Sequence, residues 1–184
     1  MVLVDVTTGP QPDGLKDSKL LAPATRERLV PEIIAWASGW AVGHASPAEI
    51  DSLGLIAALR LAGHRALANL KTAPDVVLLD GSHDWLSWPP QQDLFAEDRL
   101  GPVVPPVRTL VKADLTCASV AAASVLAKVA RDAIMVRLDE EFPAYGWREN
   151  KGYASPRHVD ALRELGPCVH HRRSWNLPTV QAEG

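Results

Sequence analysis

The chain reads as a single α/β domain, and three observations carry that reading. Short apolar runs alternate with stretches whose apolar positions recur at helical spacing. A length of 184 residues suits one compact domain, with no internal repeat or linker to divide it. Hydrophobic residues make up 47% of the chain and charged residues 22%, a mixture that folds around a core.

Residues 1–6 (MVLVDV) read as a short strand with Val2, Leu3, Val4 and Val6 apolar. Residues 7–14, rich in proline and glycine, form a turn region. Residues 23–38 read as a helix in which Leu29, Ile33 or Ile34, and Ala37 recur at helical spacing, and residues 39–45 as a second strand. Ser46-Pro47-Ala48-Glu49 is a capping box with proline at the first helical position, opening a helix that runs to about residue 70. Residues 75–79 (DVVLL) read as a buried strand of a parallel or mixed sheet, ended by Asp80-Gly81. A polar, Pro-rich insertion spans 82–106 and contains Trp85 and Trp88. Another apolar strand at 107–111 leads into Lys112-Ala113-Asp114. Residues 115–141 make a long Ala-rich helix, small or apolar almost all round and therefore expected to be buried. The remainder is loop, a short helix at 156–165, and an extended end.

Composition excludes several classes. No apolar run approaches the roughly 20 residues that span a bilayer, and the start lacks the basic region of a signal peptide. Two cysteines, Cys117 and Cys168, exclude a disulfide scaffold and fit a reducing cytoplasm. No Cys/His cluster has zinc-ligand spacing. The net charge of −3 conceals an asymmetry: residues 151–175 hold five Lys or Arg against two acids, whereas 1–150 are acidic overall. Such a division either sets carboxylates near a metal and basic groups near phosphate, or is uneven surface charge.

Asp80 and Asp114 each follow an apolar strand, where side chains from neighbouring strands converge in open α/β sheets. Paired carboxylates there suit Mg²⁺ or Mn²⁺, and two such ions hydrolyse phosphodiesters. Equally, Asp80-Gly81 is a plain turn and Asp114 a helix N-cap.

The longer strings narrow the choice. Asp17-Ser18-Lys19, Leu79-Asp80-Gly81, Lys112-Ala113-Asp114, the run AAASVLAKVARD at 121–132, Tyr145-Gly146-Trp147, Asn150-Lys151-Gly152-Tyr153 and His171-Arg172-Arg173-Ser174-Trp175 occur in that order. Together they resemble bacterial ribonuclease HII, the type 2 RNase H family, over nearly the whole chain. The resemblance implies an RNase H-like mixed sheet flanked by helices. It implies cleavage of RNA in RNA–DNA hybrids and nicking 5′ of single ribonucleotides in duplex DNA, as in ribonucleotide excision repair. The implied site is four carboxylates holding two Mg²⁺ or Mn²⁺ ions, two of them matching Asp80 and Asp114. Tyr153 matches the family tyrosine that stacks on the sugar at the RNA–DNA junction, a task suited to a flat ring with a wet hydroxyl. Lys19 resembles a family phosphate contact, and Lys151 and Arg172 lie in the basic segment 151–184; each is either a phosphate contact or a solvated or paired charge. A cytoplasmic monomer without membrane contact is expected.

Other candidates read as structural. Asp132 lies one turn from Lys128 and is expected to pair with it; Ser119 and Ser124 are small packing residues. Cys117 and Cys168 suggest no catalysis, and His170-His171 are better explained by packing than by hard-metal ligation.

Two departures from the family pattern stand out. The Asp-Glu-x-Gly-Arg-Gly string that ends the family's first strand is absent, so residues 1–6 correspond to the second strand and the first, central strand is expected to be missing. Asp5 does not replace it, since no Glu is adjacent. The insertion between Asp80 and Asp114, with Asp84, Asp93, Glu97 and Asp98, either covers the site or forms a surface loop, the latter being the simpler expectation. The chain is therefore expected to be a ribonuclease HII domain lacking its first strand. The alternative is a catalytically inactive remnant that at most binds RNA–DNA hybrid weakly.

Overall fold

The computed structural model describes residues 1–88 and 103–177. Its elements are β1 (Val2–Leu3), a 3-10 turn (Ser18–Leu20), α1 (Pro23–Trp36), β2 (Gly39–Trp40), α2 (Pro47–Leu53), α3 (Leu55–Ala68), β3 (Val77–Asp80) and β4 (Val107–Leu110). There follow α4 (Ala113–Thr116), α5 (Ala118–Glu141), a 3-10 turn (Pro143–Tyr145), α6 (Trp147–Asn150) and α7 (Pro156–Leu165). Strands alternate with helices over most of the chain, and the expected α/β class holds.

The strands differ from the expected single sheet. β1 pairs antiparallel with β2, and β3 pairs parallel with β4, in two separate ribbons. Both pack on α5. Leu3 of β1 and Met1 just before it bond to the β2 side, through Ala41 N–H to Met1 O at 3.1 Å and Ser38 N–H to Leu3 O at 3.0 Å. In β3, Val77 N–H donates to Pro106 O at 2.9 Å and Gly81 N–H to Leu110 O at 3.0 Å. Peptide groups alternate in direction along a strand, so those of Val2 and Leu78 point away from β2 and β4, to edges with no strand partner among the described residues. β1 is shorter than its apolar run because Asp5 turns the chain. Its carboxylate accepts from Thr7 N–H at 2.7 Å, from the Thr7 hydroxyl and from the Ser38 hydroxyl.

The helix expected from 47 to 70 is two helices. Gly54 adopts φ +78°, a left-handed conformation that ends α2 through its N–H to Ile50 O. Its own carbonyl then accepts from Ala58 N–H to begin α3. The predicted capping box at Ser46 and Glu49 forms on both sides. Gly43 lets the chain press against α3: a Cβ there would lie 2.0 Å from the carbonyl oxygen of Ala62.

The Ala-rich helix also divides, into a single turn α4 and then α5, with Cys117 extended between them. It is not buried all round. Ala121, Ala122, Val125 and Leu126 form one buried stripe against Leu29 and Ile33 of α1 and Leu15 and Leu21 of the preceding turn. Burying each of the larger aliphatic side chains in this core, such as Leu29, Ile33 and Val125, stabilises the fold by about 1.5–3 kcal/mol. A second core joins Leu67, Val77, Leu79 and Leu86. Leu86 is fully buried, so the start of the insertion is docked rather than looped out. Arg60 Nε donates to Ser87 O at 2.9 Å, and Asp84 Oδ1 accepts from Leu86 and Ser87 N–H. Asp93, Glu97 and Asp98 lie outside the described residues.

The third core gathers Tyr145, Trp147, Ala161 and Leu162, where the sequence suggested loop before α7. His170 and His171 join it, as expected of packing residues. His171 stacks on His158 at 5.3 Å and meets Tyr145 at 4.6 Å. Its Nδ1 accepts from Cys168 N–H at 3.1 Å, and its buried Nε2 has no partner among the described residues. The chain beyond it is fastened to α2: Asp51 accepts from Arg173 N–H at 2.7 Å, Ser174 N–H at 3.0 Å and the Ser174 hydroxyl at 2.6 Å.

Burial, with His158 nearby, holds the His171 imidazole down to about 4 from an ordinary 6.5. The unfolded chain therefore binds the extra proton between these values. Stability is expected to be full above pH 6.5 and to decline as pH falls toward 4. His171→Phe should flatten that decline in thermal melts followed by circular dichroism. Asp51→Ala should accelerate amide hydrogen exchange at Arg173 and Ser174 at least several-fold, while leaving the α5 amides protected.

Candidate active site

Asp80 is the last residue of β3, and its neighbour β4 ends at Leu110. Lys112 then takes φ +60° and turns the chain into α4, which carries Asp114 in its first turn. Asp80 Oδ1 accepts from Ala113 N–H at 2.9 Å, fastening one carboxylate beside the residue that precedes the other. Asp80 is exposed, whereas the Asp114 side chain is only 9% exposed. The two aspartates thus stand at the same ends of adjacent parallel strands, where ligands bind in open α/β sheets.

Lys19 completes this group. Its Nζ donates to Asp114 Oδ2 at 3.2 Å and lies 3.6 Å from Asp17 Oδ2. The hydrogen bond to Asp114, aided by the charge of Asp17, raises the ammonium pKa above its ordinary value. Asp17, not singled out as a site residue by sequence, caps the turn by accepting from Lys19 N–H at 3.1 Å. The adjoining Asp-Ser-Lys string was its signal. Ser124, expected only to pack, also holds this turn by accepting from Ser18 N–H at 3.2 Å.

The donors at Asp80 and Asp114 are all oxygen, which suits a hard divalent cation. Among the described residues, no group of three or more His, Cys, Asp or Glu side chains is arranged to hold a metal. Asp80 and Asp114 bring two carboxylates together here, one fewer than such a group.

Tyr153 and Lys151 occupy a second group. Lys151 at φ +51° and Gly152 at φ +80° end α6 in a tight turn, in which Asn150 Oδ1 accepts from Gly152 N–H at 2.7 Å. Tyr153 is 64% exposed, with Lys128 Nζ 5.3 Å and the Arg131 guanidinium 5.8 Å from the centre of its ring. Arg131 also donates to Lys151 O at 2.6 Å, while the Lys151 ammonium turns back to Arg148 O. The expected Lys128–Asp132 pair forms at 2.7 Å. Arg172 stands apart, its guanidinium 3.7 Å over the Trp175 ring. Cys168 Sγ lies 3.3 Å from His171 Nδ1, a neighbour not foreseen from sequence. Burial pushes the thiol up and the imidazole down, so the pair is neutral and unsuited to nucleophilic chemistry.

A family model described as ribonuclease HII matches residues 2–177. Ribonuclease HII of Streptomyces coelicolor is 48% identical over 164 residues, covering 89% of this chain and 64% of that protein. The Salinispora tropica protein of the same name is 50% identical, covering 91% of this chain and 57% of its own length. The chain thus spans less than two thirds of these relatives. Among solved structures, ribonuclease H2 from Pyrococcus horikoshii OT3 superposes with a TM-score of 0.67 at 25% identity, covering 90% of this chain and 78% of that one. RNase HII from Archaeoglobus fulgidus, solved in complex with PCNA, gives 0.61 at 25% identity over 89% and 79%. With carboxylates at adjacent strand ends, the basic and aromatic turn beside α5, and a match along almost its whole length, the chain belongs to the ribonuclease HII family.

Proposed function

We propose that this domain serves a divalent-metal-dependent endonuclease that cleaves the RNA strand of RNA–DNA hybrids and nicks 5′ of single ribonucleotides in duplex DNA. The observation that carries the reading is the pairing of Asp80 with Asp114, tied through Ala113 N–H at the ends of β3 and β4 in a chain of this family. Asp80 and Asp114 would hold the metal. When bound, Mg²⁺ or Mn²⁺ activates water and stabilises the leaving oxygen in phosphodiester hydrolysis.

The remaining roles fall to this chain's own side chains. Lys19, exposed yet held beside Asp114, offers positive charge to a phosphate approaching the carboxylates. Tyr153 presents a ring face to the sugar at the ribonucleotide, and Lys151 and Arg172 offer charge to the backbone. Two-ion hydrolysis needs more carboxylates than these two. The family resemblance assigns them to an Asp-Glu strand, and the edges of β1 and β3 that have no strand partner among the described residues are compatible with an added extended segment. The free thiols Cys117 and Cys168 accord with a cytoplasmic setting, and a monomer is the simplest state.

In a protein extended N-terminally by the Asp-Glu strand, Mg²⁺ or Mn²⁺ should support nicking of a duplex containing one ribonucleotide, read on denaturing gels. Asp80→Asn should lower that rate by roughly 100-fold or more, since it removes part of a charge stabilisation worth several kcal/mol. Retention of full rate would refute the assignment. Lys19→Gln removes a cation from Asp114 and should tighten Mn²⁺ binding about two- to fivefold while weakening duplex binding. Manganese titration by electron paramagnetic resonance reads the first effect and fluorescence anisotropy the second.

A further inference from the structure

One carboxylate on α5 pairs with cations that reach both groups of the candidate site, without itself belonging to either. Asp132 Oδ1 accepts from Lys128 Nζ at 2.7 Å and lies 3.6 Å from Arg131 Nη1. Its Oδ2 lies 3.7 Å from Arg26 Nη2 on α1. The Asp132 side chain is 16% exposed and that of Arg26 11%, so this pair is largely withdrawn from water and weakly screened, while Arg131 reaches toward the surface. A single acid among three bases is fixed in place by all of them, and removing its charge leaves like charges to repel one another.

Each of these bases also reaches a turn that carries a candidate site residue. Arg26 Nη1 donates to Ser18 O at 3.0 Å and Leu21 O at 2.6 Å, gripping the turn that presents Lys19 to Asp114. Arg131 donates to Lys151 O, bracing the left-handed residue two positions before Tyr153. Lys128 and Arg131 both approach the Tyr153 ring. Space around that turn is tight: a Cβ on Gly152 would lie 3.1 Å from Met135 Cε and 3.3 Å from Arg131 Nη2. The tyrosine turn is therefore seated on the α5 side chains that Asp132 orients.

The geometry points to Asp132 as a positioning residue that sets the orientation of Tyr153 through Arg131 and Lys128, and braces the Lys19 turn through Arg26. For substrate this rests on the role proposed above for Tyr153. Asp132 itself touches no reacting group; it acts through the cations.

Tyrosine ring signals test the assignment without requiring activity. The chain has two tyrosines, the exposed Tyr153 and the buried Tyr145, so ¹³C-tyrosine labelling of the 184-residue protein gives a reporter and an internal control. Asp132→Asn should shift the Tyr153 ring resonances and leave those of Tyr145 in place, and Asp132→Glu should restore them. Should Asp132→Asn not fold, Arg131→Lys, which keeps the charge but not the guanidinium geometry, should move the same resonances. In anisotropy titrations, Asp132→Asn should weaken binding to a duplex with one ribonucleotide about two- to fivefold, the scale of a lost cation–ring arrangement. Tyr153→Ala should then add little in that background. Unmoved Tyr153 signals in the folded variants, or equal shifts at both tyrosines with no rescue by glutamate, would overturn the inference. If the unaltered protein binds ribonucleotide and all-DNA duplexes equally, the role proposed for Tyr153 fails, and the tyrosine resonances still decide the positioning.

Discussion

The arrangement depends on how closely other elements can approach α5. Its buried stripe is built from Ala121, Ala122, Val125 and Leu126, and the two alanines leave room where larger residues would hold neighbours away. α1, β1 and the Asp17–Lys19 turn all come to this helix. Ser124 sits beside the stripe, where a small hydroxyl can both donate to Ala121 O and accept from Ser18 N–H. Enlarging the stripe would separate the lysine turn from the carboxylates as well as disturb the core. Packing and site geometry are one constraint here.

Electrostatics is organised along the same helix. At its start, α4 delivers Asp114 to Lys19; two turns and more further on, Lys128, Arg131 and Asp132 support the tyrosine turn. Carboxylates and cations therefore alternate from one group to the next instead of separating into an acidic and a basic face. The two non-glycine residues with left-handed backbone among those described, Lys112 and Lys151, precede Asp114 and Tyr153 by two positions each. That conformation costs roughly 1–2 kcal/mol per residue for a side chain bearing a Cβ. Both instances stand two positions ahead of a candidate site residue, and functional sites are a common location for backbone strain.

Much of this was legible in the residues. The alternation of strands and helices, the capping box at Ser46, the helix at Pro156–Leu165 and the Lys128–Asp132 pair all follow from local rules, and all form. Asp80 and Asp114 could be placed at strand ends because apolar runs precede them. What could not be read depended on contacts distant in sequence. Gly54 splits a continuous helical pattern because its left-handed backbone, not its hydropathy, decides the direction. The burial of Leu86 depends on α3, and the Cys168–His171 contact on a fold of the chain around Tyr145. The division of the strands into two ribbons is likewise a matter of pairing, which composition does not specify.

Those ribbons give the molecule an uneven mechanical character. Pairs of such short strands are marginal alone, and here they rest on a helix of 24 residues that shares a core with α1. Opening should therefore be graded, with the ribbon ends separating in small fluctuations while α5 stays closed. Asp80 lies at one such end and Asp114 beside the helix, so the separation of the two carboxylates is the coordinate those fluctuations move. A ligand that bridges them would act as a clasp, drawing its binding strength partly from the motion it arrests.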